Sequence, residues 1–199
     1  MTRLRLPDGT ALILWLLATL WVLVILLLVA LKPAAISLST VTTILQFSTI
    51  LALVALGQAL VILAGGAGID LSVGGIVSLS AIVAMLLTKG GLPPVLLPLT
   101  CILLGLLLGF FNGLLVTRLA IPPLITTLGT LFVYSGTAVA ITGGAALPGT
   151  PDWLLGWGRG VIYAIPVPFL TLALPAFVVA VVLLGRTSWG RWIYAMGFN

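Results

Sequence analysis

The sequence has very few side chains that could carry out chemistry. Among its 199 residues there is no histidine, and the only acidic residues are Asp8, Asp70 and Asp152. General acid–base catalysis, nucleophilic catalysis and metal binding all need such groups in clusters. We therefore predict that the chain is not an enzyme, holds no metal and carries no cofactor of its own.

Two further absences limit the possibilities. The single cysteine, Cys101, cannot form a disulfide within the chain. Neither Lys32 nor Lys89 lies in a G-x-x-x-x-G-K-[ST] loop, which is the sequence that cradles nucleotide phosphates. If ATP drives this protein, a separate subunit has to bind it.

Charge is also scarce, since 6% of the residues are charged, 62% are hydrophobic and the mean hydropathy is +1.40. These values belong to a membrane protein. About 20 apolar residues in a helix cross the roughly 30 Å hydrocarbon layer. Runs of about this length cover residues 11–31, 43–64, 72–88, 95–117, 123–141 and 166–184. They predict an all-α, polytopic integral membrane protein of about six transmembrane helices, in one transmembrane domain over residues 1–199.

The basic residues predict the orientation of these helices. With a cytoplasmic N-terminus, alternate connections place Lys32, Lys89 and Arg159 outside. The same orientation places five basic residues inside: Arg3, Arg5, Arg118, Arg186 and Arg191. The positive-inside rule favours this arrangement over its inverse.

A glycine-rich stretch, "AGGAGIDLSVGG" at residues 64–75, separates the second and third runs. Its glycines predict a tight turn or a broken helix, whose backbone must be covered by protein or water. Asp70 lies within it, and a lone carboxylate in a membrane is costly. Either Asp70 or Ser72 could cap the third helix by accepting hydrogen bonds from its first N–H groups. Direct contact of Asp70 with a substrate or a proton is the alternative.

Polar residues recur at helical spacing in two of the runs. In the second run Thr42, Gln46 and Thr49 share a face, and Gln58 lies near its continuation. The fifth run carries a second polar stripe, formed by Thr127, Thr130, Tyr134 and Thr137. Hydrogen bonds between helices explain any one of these residues, whereas the two stripes together favour a path of neutral donors and acceptors.

The fourth run has Gly105, Gly109 and Gly113 on one face, a spacing that predicts close packing of a neighbouring helix. Asn112 lies beside them and could bond to a facing helix. The predicted substrate-path residues are Gln46, Gln58, Asp70, Ser72, Asn112, Thr127, Thr130 and Tyr134.

The segment "TPDWLLGWG" predicts a short helix at the membrane surface. Thr150 could cap it, Pro151 suits its first turn, and Trp153 and Trp157 would share a face. Such a helix could anchor the chain at the interface or present a docking platform to a partner, and the sequence leaves both open.

Three stretches resemble one family of transport proteins. They are "LGQALVILAGGAGIDLSVGGIVSLSAIVAM" at residues 56–85, "ITTLGTLFVYSGTAVAITGG" at 125–144 and "SWGRWIYAMGFN" at 188–199. They are similar to the permease subunits of binding-protein-dependent ABC importers for ribose, xylose, galactose, rhamnose and autoinducer-2. The G-I-D-L-S-V-G block is the most specific of these features. Here an additional Ala67-Gly68 separates the glycine pair from Ile69, unlike the usual family sequence.

The resemblance implies a transmembrane permease that moves a monosaccharide or similar small polyol across the bacterial cytoplasmic (inner) membrane. Its implied partners are cytoplasmic ATP-binding subunits, a periplasmic or extracellular sugar-binding protein, and a second permease copy or paralogue. Family members continue for roughly another hundred residues, so the chain is expected to be the N-terminal portion of a longer pattern. The end resembles the start of the cytoplasmic loop that couples to the ATPase, which makes Arg191, Gly197 and Asn199 the candidates for coupling.

Two other functions agree with the residues. An ion-coupled secondary transporter could use the broken segment around Asp70 as its binding site. A chain that stops before the second half of the family pattern could instead be a membrane scaffold that transports nothing.

Overall fold

The computed structural model describes residues 9–32, 37–65 and 68–197. Within these ranges the main chain forms eight α-helices, which are α1 (Gly9–Leu31), α2 (Leu38–Leu63), α3 (Val73–Lys89), α4 (Leu97–Arg118), α5 (Pro123–Thr142), α6 (Asp152–Arg159), α7 (Leu174–Arg186) and α8 (Ser188–Gly197). A 3-10 turn (Pro94–Leu96) leads into α4, and a π-helical segment (Phe169–Ala173) leads into α7. The short strands β1 (Val161–Ile162) and β2 (Ile165–Pro166) pair antiparallel in a hairpin.

The predicted all-α membrane fold is confirmed, with a helix at each of the six apolar runs. In the part of the chain that the structure describes, five helical stretches are long and apolar enough to cross a membrane. The sixth helix, α3, has 17 residues and a length of about 26 Å at ~1.5 Å per residue. That length nearly matches the hydrocarbon layer of about 30 Å.

α1 differs from the other long helices because it is apolar on every side and has no buried residue between Ala11 and Leu31. Its two tryptophans, Trp15 and Trp21, are 70% and 68% exposed. A helix that is apolar all round is suited to contact lipid rather than to cover a protein core.

The core lies where α3 packs between α4 and α5. One cluster joins Leu79 of α3 to Tyr134 and Ala138 of α5. Gly75 makes this packing possible, because a Cβ there would lie 3.0 Å from the carbonyl oxygen of Leu131 and 3.1 Å from Cβ of Tyr134. The absent side chain lets the two backbones approach closely.

The helices run between two ends of the molecule that differ in their connecting segments. We call the region containing the C-termini of α2 and α4 and the N-termini of α3 and α5 the Asp70 end. The hairpin end carries α6 and the hairpin, and there Gln46 donates a hydrogen bond of 3.4 Å to the carbonyl oxygen of Arg159. A Cβ at Gly149 would lie 3.8 Å from Cε of Lys89, so α3 also ends at the hairpin end.

The predicted short helix is present as α6, which has no buried residue, but its start differs from the prediction. The N-cap residue is Pro151 and no side chain caps the helix, so the expected cap by Thr150 is wrong. Thr150 lies one residue too early, and the carbonyl oxygen of Pro151 accepts the first hydrogen bonds instead. Trp157 packs inward and its indole N–H donates to the Thr171 hydroxyl at 3.1 Å, whereas Trp153 is 49% exposed.

The π-helical segment before α7 has a local cause in the sequence. Pro175 has no N–H, and its ring excludes a normal hydrogen-bonded turn with the carbonyl of Thr171. The chain widens there, and the N–H of Leu174 donates to the carbonyl oxygen of Phe169, five residues earlier.

We predict that Gly75→Leu destabilises the protein by about 1–3 kcal/mol, because the new side chain must displace the backbone of α5. Gly74→Leu is the matched control, since a Cβ at Gly74 meets nothing within 4 Å. Thermal unfolding of the detergent-solubilised variants measures the difference. Equal stability of the two variants would contradict the close approach of α3 and α5.

Candidate functional site in the interrupted segment

The described residues between α2 and α3, 64–65 and 68–72, are not helical, which confirms the predicted break except for residues 73–75, which form the start of α3. Gly65 has φ +83°, a left-handed conformation that favours glycine. The N–H of Gly68 donates to the carbonyl oxygen of Gly65 at 3.2 Å. Backbone groups released from a helix inside a membrane need other partners, because each unsatisfied group costs several kcal/mol.

The side chain of Gln58, on α2, binds the backbone of Asp70 on both sides. Its Nε2 donates to the carbonyl oxygen of Asp70, and its Oε1 accepts from the N–H of Asp70 at 3.4 Å. One amide therefore replaces two of the hydrogen bonds that the break removes.

Thr127, near the start of α5, provides a second support. Its hydroxyl donates to the carbonyl oxygen of Ile69 at 3.1 Å, and the residue is 4% exposed. Side chains from α2 and α5 thus hold residues 69 and 70 from two directions.

The Asp70 carboxylate is bound locally by Ser72. Oδ1 of Asp70 accepts from the backbone N–H of Ser72 at 2.8 Å and from the Ser72 hydroxyl at 2.6 Å. A side-chain acceptor bonded to the N–H two residues later stabilises a turn. This turn directs the chain into α3.

Of the two residues predicted to cap α3, Asp70 accepts from the N–H of the N-cap residue Ser72, whereas the predicted cap by the Ser72 side chain is wrong. Ser72 is the N-cap residue, but it makes no side-chain capping bond, and its φ of −77° and ψ of −12° are helical. A capping side chain normally needs extended backbone at this position. The hydroxyl instead donates to Asp70.

The hydrogen bonds continue from Ser72 into the core. Nδ2 of Asn112, on α4, donates to the Ser72 hydroxyl at 2.7 Å. The Tyr134 hydroxyl, on α5, donates to Oδ1 of Asn112 at 3.1 Å and approaches the carbonyl oxygen of Leu108 at 3.2 Å. The donors run in one direction, from Tyr134 through Asn112 and Ser72 to Asp70, and we call this series the Asp70 chain.

Three of the four members of the Asp70 chain are almost completely shielded from solvent, and Asp70 itself is half-buried. Ser72 is 0% exposed, and Asn112 and Tyr134 are each 5% exposed. Tyr134 lies eleven residues after Pro123, the first residue of α5, which is about 16 Å along the axis at ~1.5 Å per residue. The hydrogen bonds of the Asp70 chain therefore extend from the Asp70 end to about the middle of a 30 Å hydrocarbon layer.

A cavity of about 430 Å³ lies beside the interrupted segment. α2, α4 and α5 all contribute to its wall, together with residues of the segment itself. Its polar side chains come from Asp70, Asn112, Thr117 and Thr127. The cavity thus brings together three of the predicted path residues, and Gln58 and Ser72 support it from behind.

The glycine stripe of α4 does not act as predicted. A Cβ at Gly109 or Gly113 would meet nothing within 4 Å, and one at Gly105 would meet only Ile76 at 3.8 Å. Gly109 and Gly113 line the cavity. The missing side chains leave space there instead of bringing a neighbouring helix close.

Two predicted path residues lie apart from the Asp70 chain. Gln46 is twelve residues before Gln58 on α2 and lines a separate cavity of about 280 Å³ at the hairpin end. Thr130 is buried, and its hydroxyl donates to the carbonyl oxygen of Thr127 within α5 at 3.3 Å.

The coupling candidates lie at the Asp70 end, as far as the structure describes them. Arg191 is exposed on α8. A Cβ at Gly197 would collide with the carbonyl oxygen of Leu63, and one at Gly65 would lie 2.8 Å from Cα of Gly197. The end of α8 thus rests on the start of the interrupted segment. Asn199 lies outside the described residues.

Sequence reasoning missed the backbone groups on which this site depends. The carbonyl oxygen of Ile69 accepts from Thr127, that of Leu108 lies 3.2 Å from the Tyr134 hydroxyl, and no sequence signal identifies either group. The contact between Gly65 and Gly197 was also missed, although a glycine in each of two facing segments is a signal that could have suggested it.

We predict that Tyr134→Phe destabilises the protein by about 0.6 kcal/mol and by no more than about 1.7 kcal/mol, the average and the maximum for hydrogen bonds between membrane helices. The change removes the donor to Asn112 and keeps the ring that packs on Leu79. Thr137→Val is the matched control on the same helix, since that hydroxyl is exposed and bonds only to the carbonyl of Val133. The stability of both variants to unfolding is measured in detergent. A Tyr134→Phe variant that is as stable as Thr137→Val would contradict the hydrogen bond between Tyr134 and Asn112.

Comparison with known proteins agrees with this architecture. Residues 40–199, which include α2 to α8 except for the first two residues of α2, match the family described as "Branched-chain amino acid transport system / permease component". The "Autoinducer 2 import system permease protein LsrC" of Yersinia pseudotuberculosis serotype O:3 (strain YPIII) is 40% identical over 164 residues, which are 82% of this chain and 46% of that protein. The protein of the same name from Yersinia pestis (strain Pestoides F) is 39% identical over the same share of each chain.

The chain therefore spans about half the length of the curated relatives it matches. No solved structure matches it. Since the family match includes the interrupted segment and every helix that supports it, this multi-pass membrane protein belongs to the family of transport-system permease components.

Proposed function

We propose that the chain is the permease subunit of an ATP-binding cassette importer that moves a monosaccharide or similar small polyol. The observation that carries this proposal is the cavity beside the interrupted segment, with its few polar groups in a largely apolar wall. Its volume of about 430 Å³ lies within the range of about 300–1,000 Å³ that is usual for small-molecule sites. The Yersinia relatives, named for autoinducer 2 import, support the same class of substrate.

The polar groups of the cavity suit hydroxyl-rich molecules. Oδ2 of Asp70 and the hydroxyl oxygen of Thr127 can accept, and Asn112 keeps one amide hydrogen besides the one it donates to Ser72, so a polyol finds both acceptors and a donor. A transporter must release what it binds, and hydrogen bonds to an uncharged hydroxylated molecule, one of them to a carboxylate, hold it less tightly than a pair of opposite charges would.

The proposed orientation has the N-terminus and the Asp70 end in the cytoplasm, with the protein in the bacterial cytoplasmic membrane. Arg118 and Arg186 end α4 and α7, and Arg191 follows on α8, so the basic residues gather at the Asp70 end. The hairpin end then faces outward, where a periplasmic or extracellular sugar-binding protein would approach.

The proposed motor is a pair of cytoplasmic ATP-binding subunits, because the sequence has no nucleotide-binding loop. Arg191, Gly197 and Asn199 remain the candidates for contact with them. A second permease copy or a paralogue would complete the pore.

We predict that the full-length gene product, reconstituted with its ATP-binding subunits and binding protein, takes up a neutral sugar only when ATP is supplied. Gln58→Leu should lower this uptake at least about tenfold, because it leaves both backbone groups of Asp70 without their partner inside the membrane. Thr43→Val is the control on α2, since Thr43 bonds only to the carbonyl of Ser39 in its own helix. Radiolabelled uptake into proteoliposomes measures both.

Three results would contradict the proposed function or its site. Uptake that continues without ATP and follows an ion gradient would favour a secondary transporter. The absence of any flux with every partner present would favour a scaffold. Normal uptake by Gln58→Leu would place the substrate path elsewhere.

A further inference from the structure

Asp70 is the only charged side chain in the cavity wall as the structure describes it, and that wall contains no lysine or arginine. Any molecule that enters the cavity therefore meets one negative charge without a compensating positive one. The remaining polar side chains of the wall, Asn112, Thr117 and Thr127, are neutral.

The structure fixes the carboxylate at this wall. Ser72 donates both its N–H and its hydroxyl to Oδ1 of Asp70, and Gln58 binds the Asp70 backbone on both sides. Among the described residues, both hydrogen bonds to the carboxylate go to Oδ1. Oδ2 is thus the oxygen left to meet a ligand.

We infer that Asp70 sets the charge selectivity of the cavity: it admits neutral polyols and excludes anions such as sugar phosphates and sugar acids. The inference rests on the proposed function for its choice of substrate class. A hydroxyl group can donate a hydrogen bond to Oδ2. A phosphate or carboxylate in the same place is repelled.

The expected size of the effect follows from simple electrostatics. Two unit charges a few ångströms apart at an effective dielectric constant of about 20 repel strongly enough to change partitioning by more than tenfold. Screening by salt is weaker in a partly enclosed cavity than at an open surface.

The substitution Asp70→Asn removes the negative charge and keeps the shape of the side chain. The Asn oxygen can still accept from the N–H and hydroxyl of Ser72, and the backbone that Gln58 binds does not change. The variant should therefore keep the interrupted segment in place and lose only the negative charge.

The test uses a single reactive thiol in the cavity. Val116 lies in the cavity wall, so Val116→Cys introduces a thiol there. Cys101→Ser removes the natural cysteine. Neutral and anionic methanethiosulfonate reagents of similar size are compared by their rates of modification. The ratio of the two rates cancels any effect of Asp70 on the reactivity of the thiol itself.

We predict that the anionic reagent reacts at least about tenfold more slowly than the neutral one when Asp70 is present. Asp70→Asn should raise the anionic rate about tenfold relative to the neutral rate. Tyr163→Cys, at a residue that is 96% exposed at the tip of the hairpin, is the control, and its ratio should not respond to Asp70→Asn.

An unchanged ratio for the Val116→Cys thiol when Asp70→Asn is added would overturn the inference, and so would an equal change for the Tyr163→Cys thiol. This measurement needs no transport, so it is independent of the proposed function. In proteoliposomes with all partners, the absence of neutral sugar uptake would refute the proposed function. The ratio of the anionic to the neutral modification rate would still test the charge selectivity.

Discussion

The structure depends on one constraint: backbone groups that leave a helix inside a membrane must find hydrogen bonds within the protein. Between α2 and α3 the chain breaks its helix, and the lost bonds are replaced by side chains from other helices. Gln58 binds the backbone of Asp70, and Thr127 binds the carbonyl oxygen of Ile69. These bonds tie α2 and α5 to the start of α3, so satisfying the break also determines how the helices are arranged around it.

The same constraint explains how a carboxylate is accommodated in a chain with so little charge. Asp70 is held by Ser72, Ser72 by Asn112, and Asn112 by Tyr134, so every member of the series has a bonded partner. Hydrogen bonds that link each member to the next hold the series in one arrangement, and Oδ2 of Asp70 stays directed to the cavity rather than to another member. The Asp70 chain contributes Asp70 and Asn112 to the cavity wall and holds these polar groups in place. Gly109 and Gly113, on α4, leave open space in the same cavity.

Much of the fold could be predicted from the sequence, because each membrane crossing leaves a long apolar run and the break leaves a cluster of glycines. Most of the predicted polar residues also meet at one site. What could not be predicted is the partner of each group, since Ser72 and Asn112 are 40 residues apart and many backbone carbonyls compete for each donor. The glycine stripe of α4 shows the same limit, because identical spacing serves either close packing or an open cavity.

Hydrogen–deuterium exchange of residues 68–72 in the membrane-embedded protein tests the central claim most directly. The amides of Asp70 and Ser72 both donate to side chains, so they should exchange at least about 100-fold more slowly than the non-helical stretch 145–150 in the same sample. Exchange of residues 68–72 as fast as that of residues 145–150 would show that water, and not the neighbouring helices, satisfies the break.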